Sequence, residues 1–179
     1  MADQASPPLL LPAPLAALAP HTPGATFRAA VPARPTIQRW VYDSRLAAGA
    51  EEGCFLALPG PYRDGHQFVQ AAYDQGIRQF VVRQPVALPE DAAVLQVPDV
   101  LGALQQWAGQ HRAGFAGKVV GITGSNGKTT VKEWLASILT PHFHLHKSPR
   151  SFNSQLGVPL TLLGLRPEHA LALLEAGVS

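Results

Sequence analysis

The stretch Val119-Val120-Gly121-Ile122-Thr123-Gly124-Ser125-Asn126-Gly127-Lys128-Thr129-Thr130 decides the reading of this chain. Its apolar start reads as a buried strand, and its polar, glycine-bearing end as a turn into a helix. After it, Val131, Trp134, Leu135, Ile138 and Leu139 recur at helical spacing. That stripe predicts a helix packed through its apolar face, stopped by Pro141. Each part of the turn suits phosphate. Glycine opens backbone conformations closed to other residues and lets N–H groups approach anionic oxygens. A helix beginning near Lys128 aims the positive end of its dipole at the same point. The Lys128 ammonium can reach the terminal phosphates of ATP, and the Thr129 hydroxyl can ligate Mg²⁺. The common form of the motif carries a further glycine where Ile122 stands, so the pattern here is the shorter Gly124-x-x-Gly127-Lys128-Thr129. Alone, that short pattern also describes an ordinary turn capped by Thr123 or Ser125. Its place between strand and helix favours phosphate, and the expected ATP-binding set is Gly124, Ser125, Asn126, Gly127, Lys128, Thr129 and Thr130.

Working outward, Phe143 and Leu145 suggest another strand and Leu171 to Leu174 one more, with Glu175 at its carboxyl end. Ligands of open α/β sheets gather at those ends. A carboxylate there can hold Mg²⁺ directly or through water; the plain alternative is a solvated turn residue. Toward the amino terminus, Phe55–Leu58, Phe80–Val82 and Val94–Val97 read as strands. Phe68, Ala71 and Ala72 repeat at helical spacing up to Gly76. Asp99 can cap a helix whose face is Val100, Leu101, Leu104, Trp107, Ala108 and His111. Strands alternating with helices predict an α/β fold. Gly114 and Gly117 suggest a linker, and the first residues, rich in Pro and Ala, a loose extension. The chain stops just after the Leu171–Leu174 run. A parallel sheet of so few strands keeps an open edge, so the second domain is expected to be cut short.

Composition narrows the field. Apolar residues make up 46% of the 179, enough for a core, and charged residues only 15%, too few for a disordered chain. With a net charge of +2 and no basic run, a nucleic-acid partner is not expected. Prolines interrupt the apolar residues near the start, and no apolar run is long enough to span a bilayer. No membrane insertion and a cytoplasmic location are expected. Cys54, the only cysteine, reads as a small buried hydrophobe. His142, His144 and His146 would share one strand face, but a third zinc ligand of suitable kind is missing nearby.

Thr123 to Glu133 resembles the ATP loop of the Mur ligases, which use the short form lacking the first glycine. These enzymes build the peptide stem of bacterial cell-wall precursors. Asp43-Ser44-Arg45, Gly53 to Gly60 and Arg63-Asp64-Gly65-His66-Gln67-Phe68 look like the UDP-sugar-binding first domain of the MurE and MurF branches. Ser151 to Leu163 resembles an Asn-Asn-x-x-Gly-Val-Pro-Leu-Thr-Leu-Leu segment of the MurF branch, with Ser154 in place of the second Asn. Leu174-Glu175-Ala176-Gly177 resembles its Glu-x-Gly metal motif. The resemblance implies a small α/β UDP-binding domain at residues 37–112, after the extension 1–36. A linker at 113–117 would lead to the start of a parallel-sheet phosphate-loop ATPase domain at 118–179.

It also implies ATP and Mg²⁺ as cofactors, Lys128 and Glu175 as catalytic residues, and Thr129 and Glu175 as metal ligands. Asn153 would be a further active-site residue. Ser44, Arg45, Asp64, Gly65 and His66 would form the UDP-substrate site, although as bare residues they also describe surface turns. The implied reaction adds D-alanyl-D-alanine to UDP-MurNAc-tripeptide through an acyl phosphate, with later domains required, so that residues 1–179 alone are expected to be inactive. Lys147 to Gln155 is worded most like ligase units fused ahead of an alanine racemase, which implies such a partner domain beyond Ser179. The rival readings are a MurE-type ligase adding the third stem residue and a non-catalytic nucleotide-binding module. A GTPase is disfavoured, because an Asn-Lys-x-Asp guanine-reading motif is missing from the sequence.

Overall fold

The computed structural model describes residues 9, 11–29, 36–60, 63–150 and 152–177. It is an α/β protein of two compact units, residues 1–106 and 107–179.

The first unit is built on a five-stranded sheet in the order β1-β5-β4-β3-β2. Its strands are β1 (Thr26–Arg28), β2 (Arg39–Val41), β3 (Gly53–Leu56), β4 (Gln79–Val82) and β5 (Ala93–Gln96). β2 to β5 run parallel, whereas β1 pairs antiparallel with β5. β3 and β4 are buried along their whole length, as parallel strands covered on both faces must be. Phe55 and Phe80 meet across them, ring centroids 6.3 Å apart, in a core shared with Ala57, Val69, Ala72 and Ile77. Helix α1 (Val69–Asp74) covers this core through Val69 and Ala72. Cys54 is buried in β3, and desolvation pushes its thiol well above the usual range.

Part of the expected loose extension belongs to this unit. Leu11, Leu15 and Leu18 are buried and β1 closes a sheet edge; the rest, 1–8, 10 and 30–35, lies outside the described residues. β1 carried no readable signal because all three of its residues are exposed; backbone pairing alone places it.

Helix α2 (Val100–Ala113) starts at Asp99, whose carboxylate accepts from the Leu101 N–H at 3.1 Å. A Cβ on Gly102 would fall 2.6 Å from that carboxylate, so cap and glycine belong together. Asp99→Ala is expected to cost about 1 kcal/mol of stability, read by urea unfolding. The two compact units divide within α2, ahead of the glycines that suggested a linker. Trp107, Ala108 and His111 are buried, and the His111 ring donates from Nε2 to the Leu165 carbonyl at 3.0 Å.

In the second unit β6 (Lys118–Ile122), β8 (Leu171–Glu175) and β7 (Leu145–Lys147) form a parallel sheet with β8 in the middle. All five residues of β8 are buried. Helix α3 (Lys128–Leu139) follows β6, and the short α4 (Gly157–Leu162) precedes β8.

The orientation of α3 corrects the expected packing. Val131, Trp134 and Ile138, three residues of the apolar stripe, are 43%, 67% and 64% exposed. The face turned inward carries Lys132 and Ala136 instead. The cause is polar: Thr129 and Lys132, three positions apart on one face, reach Glu175 and the Ser148 carbonyl. Those contacts fix the rotation of the helix and leave the apolar stripe outside.

Candidate functional site

Register assembles the site. β6 and β8 pair so that Ile122 lies opposite Glu175, which sets the carboxylate beside the turn that leaves β6. The turn closes on Gly127 at φ +77°, a left-handed conformation at which glycine carries no steric penalty, and α3 begins at the next residue. Its first-turn N–H groups have no partners within the helix and face the turn, which is the geometry that receives a phosphate.

Lys128 folds back over the turn and donates to the Gly124 carbonyl and, at 3.5 Å, to that of Ser125. Ser125, Asn126 and Thr130 are exposed. Glu175 is 1% exposed and fully partnered. Thr129 Oγ1 donates to Oε2 at 2.8 Å, Asn153 Nδ2 donates to Oε1 at 2.9 Å, and the backbone N–H of Glu175 donates to Ser148 Oγ at 3.1 Å. The Asn153 carbonyl in turn accepts from the Gly177 N–H at 2.9 Å. Thr123, Gly124, Ser125, Lys128, Asn153, Ser154 and Gly177 line a cleft of about 600 Å³. The structure thus brings together Lys128 and Thr129 from the start of α3, Asn153 from the loop before α4 and Glu175 from the end of β8, three separate segments. Ser154, the departure from the resembled pattern, accepts from the Gly157 N–H at 3.1 Å and so caps the turn into α4.

Sequence reasoning missed Lys132 and Ser148, both 0% exposed and both touching this cluster. For Lys132 a signal existed: it stands three residues after Thr129, on the same face of the helix.

A second cleft, of about 290 Å³, lies in the first unit, lined by Tyr42, Asp43, Ser44, Arg45, Phe55, Leu58, Arg63, Gly65 and Phe68. Arg45 lies across Asp43 as a fork, Nε at 2.9 Å and Nη2 at 2.6 Å, and holds that carboxyl below its usual range. The arginine side chain is 87% exposed, so the fork is free to exchange Asp43 for another anion.

Of the expected Asp64-Gly65-His66 turn, only Gly65 faces this cleft. A Cβ there would meet the Leu58 backbone at 2.7 Å, so the position admits glycine alone. Asp64 accepts from the His66 backbone N–H at 3.0 Å and from its Nδ1 at 2.6 Å, contacts that hold the Asp64 carboxyl down. The other ring nitrogen accepts from the Arg83 N–H at 2.9 Å, which fixes the imidazole with its proton on Nδ1. These two side chains hold the turn against the end of β4. Among the three histidines read as a strand face, His146 donates from Nε2 to the Thr161 carbonyl at 2.8 Å, while His142 and His144 are exposed.

A glycine turn at the carboxyl end of a parallel strand, with a lysine over it and a Thr–Glu pair beneath, is the arrangement of phosphate-loop proteins. Comparison with known proteins narrows the class. Residues 122–179 match the Mur ligase middle domain. The UDP-N-acetylmuramoyl-tripeptide–D-alanyl-D-alanine ligase of Bacillus subtilis is 39% identical over 126 residues, 70% of this chain and 28% of that protein. The ligase of the same name from Synechocystis is 42% identical over 122 residues, 68% of this chain and 27% of that protein. Among solved structures, MurF from Acinetobacter baumannii superposes with a TM-score of 0.73 at 38% identity, over 82% of this chain and 32% of its own. MurF from Thermotoga maritima, solved in complex with ADP, gives 0.67 at 29% identity, over 80% of this chain and 33% of its own. The chain belongs to the Mur ligase family. It spans under a third of the length of the Bacillus and Synechocystis relatives.

Proposed function

We propose that this chain supplies the nucleotide-sugar and ATP sites of a MurF-type ligase, a cytoplasmic enzyme that joins D-alanyl-D-alanine to UDP-MurNAc-tripeptide at the expense of ATP. The observation that carries the reading is the Thr129–Glu175 pair, 2.8 Å apart beneath the glycine turn with Lys128 above it. The likeness to the named ligases supports the choice of reaction. No helix among the described residues is long and apolar enough to cross a membrane.

The donor set fits Mg²⁺: a hydroxyl and a carboxylate, both hard oxygen ligands, meet at the ends of adjacent elements. Thr129 and Glu175 would hold the ion, which when bound offsets charge on the terminal phosphates. The backbone amides of the turn and of the first turn of α3 bind the phosphate oxygens. Lys128 leaves the Gly124 and Ser125 carbonyls to meet the transferring γ-phosphoryl group. An oxygen of the tripeptide's terminal carboxylate forms a bond to the γ-phosphorus, the bond to the β-phosphate oxygen breaks, and ADP leaves. The dipeptide amine then attacks the acyl carbon, inorganic phosphate departs with the bonding pair, and the amine loses a proton. Throughout, the protein contributes position and charge neutralisation.

The test gives the full-length protein ATP, Mg²⁺, UDP-MurNAc-tripeptide and D-alanyl-D-alanine and follows the pentapeptide product by mass spectrometry. ATP binding without phosphate release under these conditions would replace the ligase reading with that of a binding module. Arg45 gives a separate check on the first unit. Once its fork transfers from Asp43 to the substrate diphosphate, Arg45→Ala removes a charge-assisted hydrogen bond, a loss of about tenfold or more in affinity. Calorimetry is expected to show that loss for UDP-MurNAc-tripeptide and none for ATP; equal losses would indicate a folding defect.

A further inference from the structure

Lys132 is a fully buried lysine inside the phosphate-loop helix, and the proposed chemistry leaves it without a task. Its ammonium donates to the Ser148 carbonyl at 2.9 Å and to the Arg150 carbonyl. Glu175 Oε2 lies 3.6 Å away and Glu133 Oε1 3.5 Å away. Burying an ammonium is costly, and a packed apolar side chain of similar volume would often serve stability as well or better. What an apolar residue could not do is hold the two carbonyls.

Those carbonyls belong to a tight turn. The Phe152 N–H donates to the Pro149 carbonyl at 3.1 Å, and Arg150 sits at φ +47°, a left-handed conformation unusual for a side chain of its size. Such a conformation persists where its surroundings over-determine it. The turn leads directly to Asn153, which donates to Glu175, and it begins at Ser148, whose hydroxyl takes the Glu175 N–H. One ammonium therefore ties helix α3 to the first part of the segment that aims the carboxylate, at the Ser148 and Arg150 carbonyls.

We propose that Lys132 is a positioning residue for the metal–nucleotide end of the site: by clamping the Ser148–Arg150 turn to α3 it holds Asn153 and Glu175 against Thr129. The inference rests on the ligase reading above. Its sign separates it from a simple charge effect. A cation beside Glu175 opposes a second cation there, so charge alone predicts that removing Lys132 strengthens Mg²⁺ binding. Positioning predicts the reverse.

The experiment measures ADP binding to the full-length protein by calorimetry, in excess Mg²⁺ and in EDTA, for wild type and Lys132→Met. The expected result is at least a tenfold loss of affinity in Mg²⁺ with less than a threefold change in EDTA. In EDTA the turn amides and Lys128 carry the binding. Equal losses in the two conditions would reduce Lys132 to a support of the fold, and unchanged or tighter binding in Mg²⁺ would leave only its charge; either overturns the proposal. Lys132→Gln, which keeps N–H donors without the charge, carries the test if the Met variant does not fold, with a smaller Mg²⁺-specific loss expected and the same overturning results. A wild type that binds no ADP in either condition overturns the ligase reading itself, and the role of Lys132 with it.

Discussion

Lys128→Ala in the full-length protein is expected to slow ATP-dependent ligation by about a hundredfold to a thousandfold while leaving the fold intact. Among the contacts described for it, the Lys128 ammonium touches only carbonyls of its own turn, those of Gly124 and Ser125. Those carbonyls face solvent and can be hydrated when the side chain is removed, so stability has little to lose. During phosphoryl transfer the same ammonium meets charge that develops on the γ-phosphate oxygens. Losing one such pre-organised donor costs on the order of 3–4 kcal/mol of barrier lowering. Steady-state turnover at saturating ATP, beside a thermal melt, separates the two effects. Turnover within a few-fold of wild type would remove Lys128 from the phosphate site.

Much of this arrangement was legible in the chain because it is local. The order of strand, glycine turn, Lys-Thr and helix lies within Val119 to Leu139, and each step has its own signature. β3, β4 and β5 announced themselves as short apolar runs, and Asp99 as a cap. What was hidden depends on contacts across long separations. That Glu175 meets Thr129 is a matter of register between β6 and β8, which the sequence hints at only through a carboxylate ending an apolar run. The rotation of α3 ran against its own pattern. The apolar stripe at Val131, Trp134 and Ile138 promised burial, yet Lys132 went inside, because polar partners some sixteen residues away in sequence outweighed it. Periodicity counts apolar residues and is blind to a buried ammonium with carbonyls to satisfy it. The turn at Asp64 to His66 was readable as a turn, but the ring's commitment to the Arg83 N–H was not, since β4 had first to bring that group close.

The second large effect is expected at Glu175, where function and stability meet. Glu175→Ala removes the carboxylate on which Thr129 and Asn153 converge, and it leaves the buried Lys132 ammonium without its nearest described counter-charge in the interior. Glu133, the other carboxylate within ion-pair range, is half-exposed and already engaged by Lys147. Breaking one side of a buried ion pair costs about 3–5 kcal/mol, because the remaining charge stays desolvated. The two carbonyls that also hold Lys132 place the expected loss near the lower end, about 3 kcal/mol. Glu175→Gln separates the causes. It keeps the side chain's shape and one oxygen that can accept from Thr129 or Asn153, so it should unfold much closer to wild type. It still lacks the charge that would hold Mg²⁺, and its ligation should be as poor as that of the alanine variant. Urea unfolding and turnover measured on both variants give the comparison. An alanine variant within about 1 kcal/mol of wild type would show that Lys132 is satisfied by carbonyls alone. A glutamine variant with near-normal turnover would show that the carboxylate is structural and that the metal is held elsewhere.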